Sequence, residues 1–267
     1  MRIEVPTLQV IGSDQFYELG EAEFGMPGLS AIESAGPFAP VKQIGPFVTI
    51  HDSTFEPGFG IGHHPHRYHE RLFYILEGRV DHDDALNGIT GYMAHGDLAR
   101  LTEGVRGMLH REWNGAPGKS TRAFILVYRP DAVPEIPVAS FGALRAADRP
   151  GYADGDGETL ELIGEGSPFE VSLSTFRRYL DTTLPAGGAV LEPLADDEAA
   201  LLYPLAGTLS VTDARGADLA TLRAEGSSLP EGPAEMGVAA GGAELHLKAG
   251  DGDTRFLRIV WAARSGR

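Results

Sequence analysis

Short strand-like runs of apolar residues, some continuous and some alternating with polar ones, recur along this chain between turn-forming residues. Runs of this length, rich in β-branched and aromatic residues, predict strands. They occur at Phe47–Ile50, Leu72–Leu76, Arg122–Tyr128, Val171–Tyr179, Leu201–Tyr203, Glu244–Lys248 and Arg255–Trp261. Asn87-Gly88, His95-Gly96-Asp97 and Gly241-Gly242 supply turn chemistry between them. No segment sustains a 3.6-residue period, so helices should be few and short. Strands of this length and spacing predict an all-β chain built of barrels or sandwiches.

The pattern repeats. Leu72-x-Tyr74-x-Leu76-x-Gly78-x-Val80 returns as Leu201-x-Tyr203-x-Leu205-x-Gly207-x-Leu209 at an offset of 129 residues, and Gly58 falls on Gly187 at the same offset. A duplicated barrel accounts for this. The segment between Pro130 and Pro168 is rich in proline, glycine and acidic residues and reads as the connector. We therefore expect two antiparallel barrels, over residues 1–138 and 139–267, with Tyr74 and Tyr203 as ordinary barrel filling.

Composition narrows the function. The net charge is −16, with no basic stripe, so the chain should be repelled by phosphates and should not bind nucleic acid directly. No run approaches the roughly 20 apolar residues that cross a bilayer, and Met1–Pro6 lacks the apolar stretch of a signal peptide. The absence of cysteine removes disulfides, thiolate ligands and a cysteine nucleophile. A soluble cytoplasmic protein is expected.

The candidate chemistry lies in the first half, which holds eight of the nine histidines, all between His51 and His110. His64-Pro65-His66 and His110-Arg111-Glu112 each place two ligand-type side chains at i and i+2, on one face of a strand. Facing one small cavity, the two pairs would aim three imidazoles and one carboxylate at a single point, as in a metal centre with exchangeable positions. Shifted by 129 residues, these positions become Pro193, Ala195, Ala239 and Gly241, so only the first barrel should carry the site. Counted by alternation from His66, Tyr68 and Glu70 also face inward. His63 should point to the opposite face, His246 should lie on the surface, and His82, between Asp81 and Asp83, should belong to a solvated acidic hairpin.

These motifs resemble a known family. Gly58-x5-His64-x-His66-x3-Glu70-x7-Gly78 is similar to the first cupin motif, and the spelling His64-Pro65-His66-Arg67, followed by Leu76-Glu77-Gly78, looks like pirin. Gly91, Gly96-Asp97, Gly104, Gly107 and His110-x-Glu112 continue the likeness, which covers about Phe47 to Glu112. It implies a bicupin of jelly-roll type with one iron-type metal on His64, His66, His110 and Glu112. It also implies either quercetin 2,3-dioxygenase activity or a non-catalytic role as an iron redox sensor and partner of regulatory proteins.

The chain departs from the family at Tyr68-His69, where pirins commonly have Gly-Phe. A phenol there would narrow the cavity or donate a proton. Four ligands leave two octahedral positions for substrate and O₂. Fe(II) fits best, with Mn, Ni, Co, Cu or Zn able to bind. Glu112 is placed ahead of Glu70 as the carboxylate ligand. Either could accept a proton from a small hydroxy-ketone or flavonol. An isomerase or simple ligand-binding bicupin is the remaining alternative.

Overall fold

The computed structural model describes residues 7–131, 137–224 and 234–263. The leading segment Met1–Pro6 and residues 132–136 of the expected connector lie outside the described residues. The described residues are all-β, with one four-residue α-helix at Glu21–Phe24 and two single 3-10 turns, at Ser13–Gln15 and Ala146–Asp148. Among the described residues no helix is long and apolar enough to cross a membrane.

In chain order the strands of the first half are β1 (Thr7–Gly12), β2 (Tyr17–Leu19), β3 (Leu29–Ala35), β4 (Phe47–Phe55), β5 (Gly60–His66), β6 (Glu70–Glu77), β7 (Arg79–Asp84), β8 (Ile89–Ala94), β9 (Leu98–Thr102), β10 (Met108–Asn114) and β11 (Thr121–Tyr128). The second half has β12 (Ser140–Leu144), β13 (Gly151–Asp154), β14 (Gly157–Ile163), β15 (Phe176–Leu184), β16 (Ala189–Leu194), β17 (Glu198–Ala206), β18 (Thr208–Asp213), β19 (Asp218–Arg223), β20 (Glu235–Ala240), β21 (Ala243–Ala249) and β22 (Thr254–Ala262). Each barrel joins a seven-stranded sheet to a four-stranded one. The first uses β12-β9-β6-β11-β4-β3-β2 with β5-β10-β7-β8. The second uses β1-β20-β17-β22-β15-β14-β13 with β16-β21-β18-β19.

Two expectations are corrected here. The division at residue 138 is crossed in both directions: β1 pairs with β20 in the second barrel, and β12 pairs with β9 in the first. The stretch read as connector holds β12, β13 and β14, because its glycines and acidic residues form tight turns between short edge strands, as at Gly155-Asp156. In addition, the strand expected from Val171 begins only at Phe176.

The long sheets are buried on both faces. One face lines its own barrel, through Phe73, Ile75, Ala123 and Ile125 in the first and Leu202, Phe256 and Val260 in the second. The opposite faces meet in one continuous apolar cluster, where Leu72, Tyr74 and Phe124 join Tyr179, Leu201 and Leu257. Double burial explains why Leu72-Phe73-Tyr74-Ile75-Leu76 reads as an unbroken apolar run.

Polar groups cross this joint in a pseudo-symmetric pair. Tyr74 on β6 donates to Asp181 on β15 at 2.5 Å, and Arg255 holds the same carboxylate at 2.7 Å. Tyr203 on β17 donates to Asp52 on β4 at 3.2 Å, and Arg122 holds that carboxylate at 2.6 Å. The tyrosines are 129 residues apart, and so are the aspartates. The repeat therefore records the joint between barrels, not the barrel filling expected of Tyr74. Its glycines have a separate reason: Gly78 and Gly207 both adopt left-handed backbone, at φ 77° and 75°, and an added Cβ would meet Thr121 in one and the Asp253 carbonyl in the other.

Hydrogen bonds to a charged acceptor contribute about 1.5–3 kcal/mol. Tyr74→Phe is therefore expected to lower stability by that order in urea unfolding. Tyr203→Phe, whose bond is longer, should cost less.

Candidate metal centre

The histidine cluster is a product of sheet register. β10 runs between β5 and β7 in the four-stranded sheet. His110 on β10 lies opposite His64 on β5, and Glu112 lies opposite His82 on β7. A bulge in the β5–β10 pairing separates the two levels. Ring centroids are 4.5 Å apart for His64 and His110, 4.6 Å for His64 and His66, 4.9 Å for His66 and His110, and 5.3 Å for His82 and His110.

Two overlapping triads result. Ligand atoms of His64, His66 and His110 lie within 4.8 Å of one another, and so do those of His82, His110 and Glu112. His64, His66 and His110 thus come together, whereas Glu112 groups with His110 and with His82, a residue not expected there. Glu112 Oε1 is 3.0 Å from His110 Nδ1, off the line of a hydrogen bond. Both ring nitrogens of His110 and Nδ1 of His82 are buried without a hydrogen-bond partner. Each such atom costs about 1–3 kcal/mol when left unpaired. A divalent cation supplies what these lone pairs lack, so the donor set fits a metal. Among the described residues the second barrel has no such triad. Its buried polar core is an ionic network, in which Arg258 donates to Glu192, Asp154, Thr159 and Thr182.

Burial dominates the electrostatics. It lowers the pKa of His66 to about 3, with Arg71 adding to the effect, and that of His82 to about 4 against the pull of Asp84 and Asp83. His64 and His110 are lowered for the same reason, and the neighbouring imidazoles press further on His110. These rings are neutral near pH 7. Burial pushes the Glu112 carboxyl up to about 7, with Arg71 opposing. The Glu103 carboxyl, which burial would raise, is brought down to about 2 by its hydrogen bond with His69 and the charge of Arg71. The cluster has a closed end at His82, His110 and Glu112, all buried, and an open end at the half-buried His64 and His66.

The sequence profile of the Pirin family matches residues 21–126, a span that contains every one of these side chains. Over this span the chain is pirin-like. It is 29% identical over 194 residues to a Pseudomonas aeruginosa protein provisionally named a quercetin 2,3-dioxygenase, across 70% of this chain and 67% of that one. It is 30% identical over 172 residues to a pirin-like protein of Solanum lycopersicum, across 62% and 57%. Similarity to the second of these relatives thus spans little more than half of its length. Among solved structures, a bacterial pirin from Escherichia coli in complex with nickel(II) matches at a TM-score of 0.67 and 18% identity, over 93% of this chain and 99% of that one. A quercetin 2,3-dioxygenase from Acinetobacter baumannii matches at 0.74 and 20%, over 97% and 87%. At such identities these structures establish the shared bicupin fold.

Two expectations about the pirin motif are corrected by the turn that follows His66. β5 ends at His66 and β6 begins at Glu70 in the other sheet, so alternation does not carry across residues 67–69. Tyr68 is 44% exposed, not turned inward as alternation predicts. It has a φ of 74°, the one positive value among the described non-glycine residues, at the position where pirins commonly carry glycine. Glu70 faces the joint between the barrels. Its oxygens accept from Tyr128 at 2.5 Å, Thr102 at 2.6 Å and the Ser172 amide at 2.9 Å, so it is no proton acceptor for the cluster. The next residue, Arg71, takes that side of the strand and reaches His66 Nδ1 at 2.8 Å.

His63 is on the outer face, 3.3 Å from Asp83, and His246 pairs with exposed Glu244. His82 was missed. It is buried, stacked on Phe141 at 5.4 Å. Its signal was Val80 two residues before it, which fixes His82 on the core face of β7.

Tyr68→Gly is expected to leave stability within about 1 kcal/mol of wild type or above it, since relief of left-handed strain offsets added chain entropy. Thermal unfolding measures this. A pH dependence also follows. In the metal-free protein, folded Glu112 keeps its proton up to about pH 7, whereas an unfolded carboxyl loses it near 4.3. Stability due to the neutral form is thus complete at low pH and is lost as pH rises through that window. Glu112→Gln cannot titrate, so its stability relative to wild type should climb between pH 5 and 7 and level off above, in urea unfolding with a chelator present.

Proposed function

We propose that the chain is a metal-dependent oxygenase of the quercetin 2,3-dioxygenase type, acting on a small hydroxy-ketone or flavonol with O₂ as co-substrate. His64, His66, His110 and Glu112 would hold one divalent transition metal, Fe(II) foremost. The observation that carries this reading is His110: a buried imidazole with neither nitrogen paired, at the crossing of two candidate triads. Relatives named as quercetin 2,3-dioxygenases and a related pirin that binds nickel support it.

When bound, the metal supplies Lewis acidity toward the substrate oxygen and an electron route to O₂. The chain's own groups do the rest. His64 is set for ligation, because its Nδ1 donates to the Gly62 carbonyl at 2.8 Å and leaves the Nε2 lone pair free. Burial raises the Glu112 carboxyl in the metal-free protein, and an oxygen of it not used as a ligand could take up the substrate's hydroxyl proton. His82 lies beside it, with a ring nitrogen within 4.8 Å of the carboxylate. His82, His110 and Glu112 are buried, whereas His64 and His66 are half-buried. Partial exposure of two of the proposed ligands favours a catalyst over a sealed redox sensor.

Metal analysis of protein purified without a metal-affinity column should find about one transition metal per chain, consistent with a mononuclear site. His64→Ala, His66→Ala and His110→Ala should each lose it, while His63→Ala and His246→Ala retain it. Oxygen uptake with a flavonol panel tests the reaction. Absence of uptake with every member, in fully loaded protein, would remove the flavonol reading.

A further inference from the structure

His64 and His66 carry their protons on opposite nitrogens. At His64, Nδ1 faces a carbonyl oxygen, which only accepts, so the proton is on Nδ1. At His66, Nδ1 lies 2.8 Å from Nη2 of Arg71. A guanidinium only donates and does not lose its proton in proteins. Nδ1 of His66 is therefore the acceptor, and the proton of its neutral ring is on Nε2. With Nδ1 taken, Nε2 is the one His66 nitrogen left for a metal, and as an N–H it has no lone pair to give. Metal-binding imidazoles ordinarily show the reverse pattern, donating their second N–H to a carbonyl or carboxylate.

The arginine is fixed in this place. Its Nε donates to Glu103 Oε1 at 2.7 Å. Glu103 is buried, and its other oxygen accepts the His69 amide at 2.9 Å. Arg71 itself is 18% exposed, so its tip has an outlet toward solvent while Nε stays on Glu103.

We propose that Arg71, braced by Glu103, is a positioning residue that holds His66 in the tautomer unable to bind metal, so that loading the centre requires the guanidinium to leave the ring. The proposal rests on the metal reading of the cluster. Arg71 opposes loading twice, through the position of the proton and through repulsion of an incoming dication. The pair sets a threshold that a weakly held ion does not pass.

The test is made on the full chain. In ¹⁵N-histidine NMR of the metal-free protein, His66, assigned by its loss in His66→Asn, should carry its proton on Nε2, and His64 on Nδ1. Arg71→Leu should move the His66 proton toward Nδ1. It should also tighten nickel(II) binding, measured by chelator competition, on the order of tenfold or more, the effect of removing one close like charge. Because Arg71→Leu strands a buried carboxylate, the double variant Arg71→Leu/Glu103→Leu is measured beside it, with the same expectation. A His66 proton on Nδ1 in wild type, or equal nickel affinity in all three proteins, overturns the lock and leaves the metal reading standing. Weaker nickel binding in both variants means that Arg71 supports a bound imidazolate, which also overturns it. If none of the proteins binds nickel, the metal reading falls, and the loading threshold falls with it.

Discussion

The back-to-back packing of the two seven-stranded sheets is the constraint on which the remaining structure depends. Apolar side chains from both barrels share one cluster there, and two Tyr–Asp–Arg groups pin it at chosen points. A strand buried on both faces cannot slip by one residue, since a slip would exchange Tyr74 with Phe73 and bring the phenol hydroxyl into an apolar lumen. With β6 fixed, the three-residue turn before it fixes the end of β5. The β5–β10–β7 ladder then sets which side chains stand opposite. His110 faces His64, and Glu112 faces His82, because of pairings that start in the joint.

The fold was legible in the sequence wherever the period-2 signal was long. Strands at Phe47, Leu72, Arg122, Leu201, Glu244 and Arg255 are present in the structure, and the 129-residue repeat marked the two barrels. What the repeat meant was less legible. Tyr74 and Tyr203 looked like lumen residues because strand patterns give a side chain's face but not what covers it. Composition misled between Pro130 and Pro168, where edge strands rich in glycine and acid resemble a linker. At the site, counting by twos succeeded inside β5 and β10 and failed across the turn at Tyr68, which moves the chain from one sheet to another. The same counting, applied to Val80, would have exposed His82. The Arg71–Glu103 pair left no sequence signal, since residues 71 and 103 are joined only through the β6–β9 pairing.

The two barrels answer one problem differently. A small barrel must fill its interior, and polar groups inside it need partners. The second barrel satisfies its buried charges internally, with Arg258 spread over two carboxylates and two hydroxyls. The first leaves imidazole nitrogens without partners and so retains binding capacity that the second has used up. A duplicated scaffold thus sets a half with unpaired imidazole nitrogens against one whose buried arginine is fully paired, and both share the joint.

The exchange of edge strands has a consequence for how the molecule is made. The chain's first strand, Thr7–Gly12, completes its pairing only with Glu235–Ala240, close to the other end. The first barrel needs no strand beyond Ser140–Leu144 to close, but β1 stays unpaired until β20 has been made. Contacts of such high sequence separation form late and slowly. The docking of β1 onto β20 is therefore expected among the late events of folding, and it ties the two halves together. Until then a newborn chain exposes an open sheet edge, the surface most prone to pair with a neighbour.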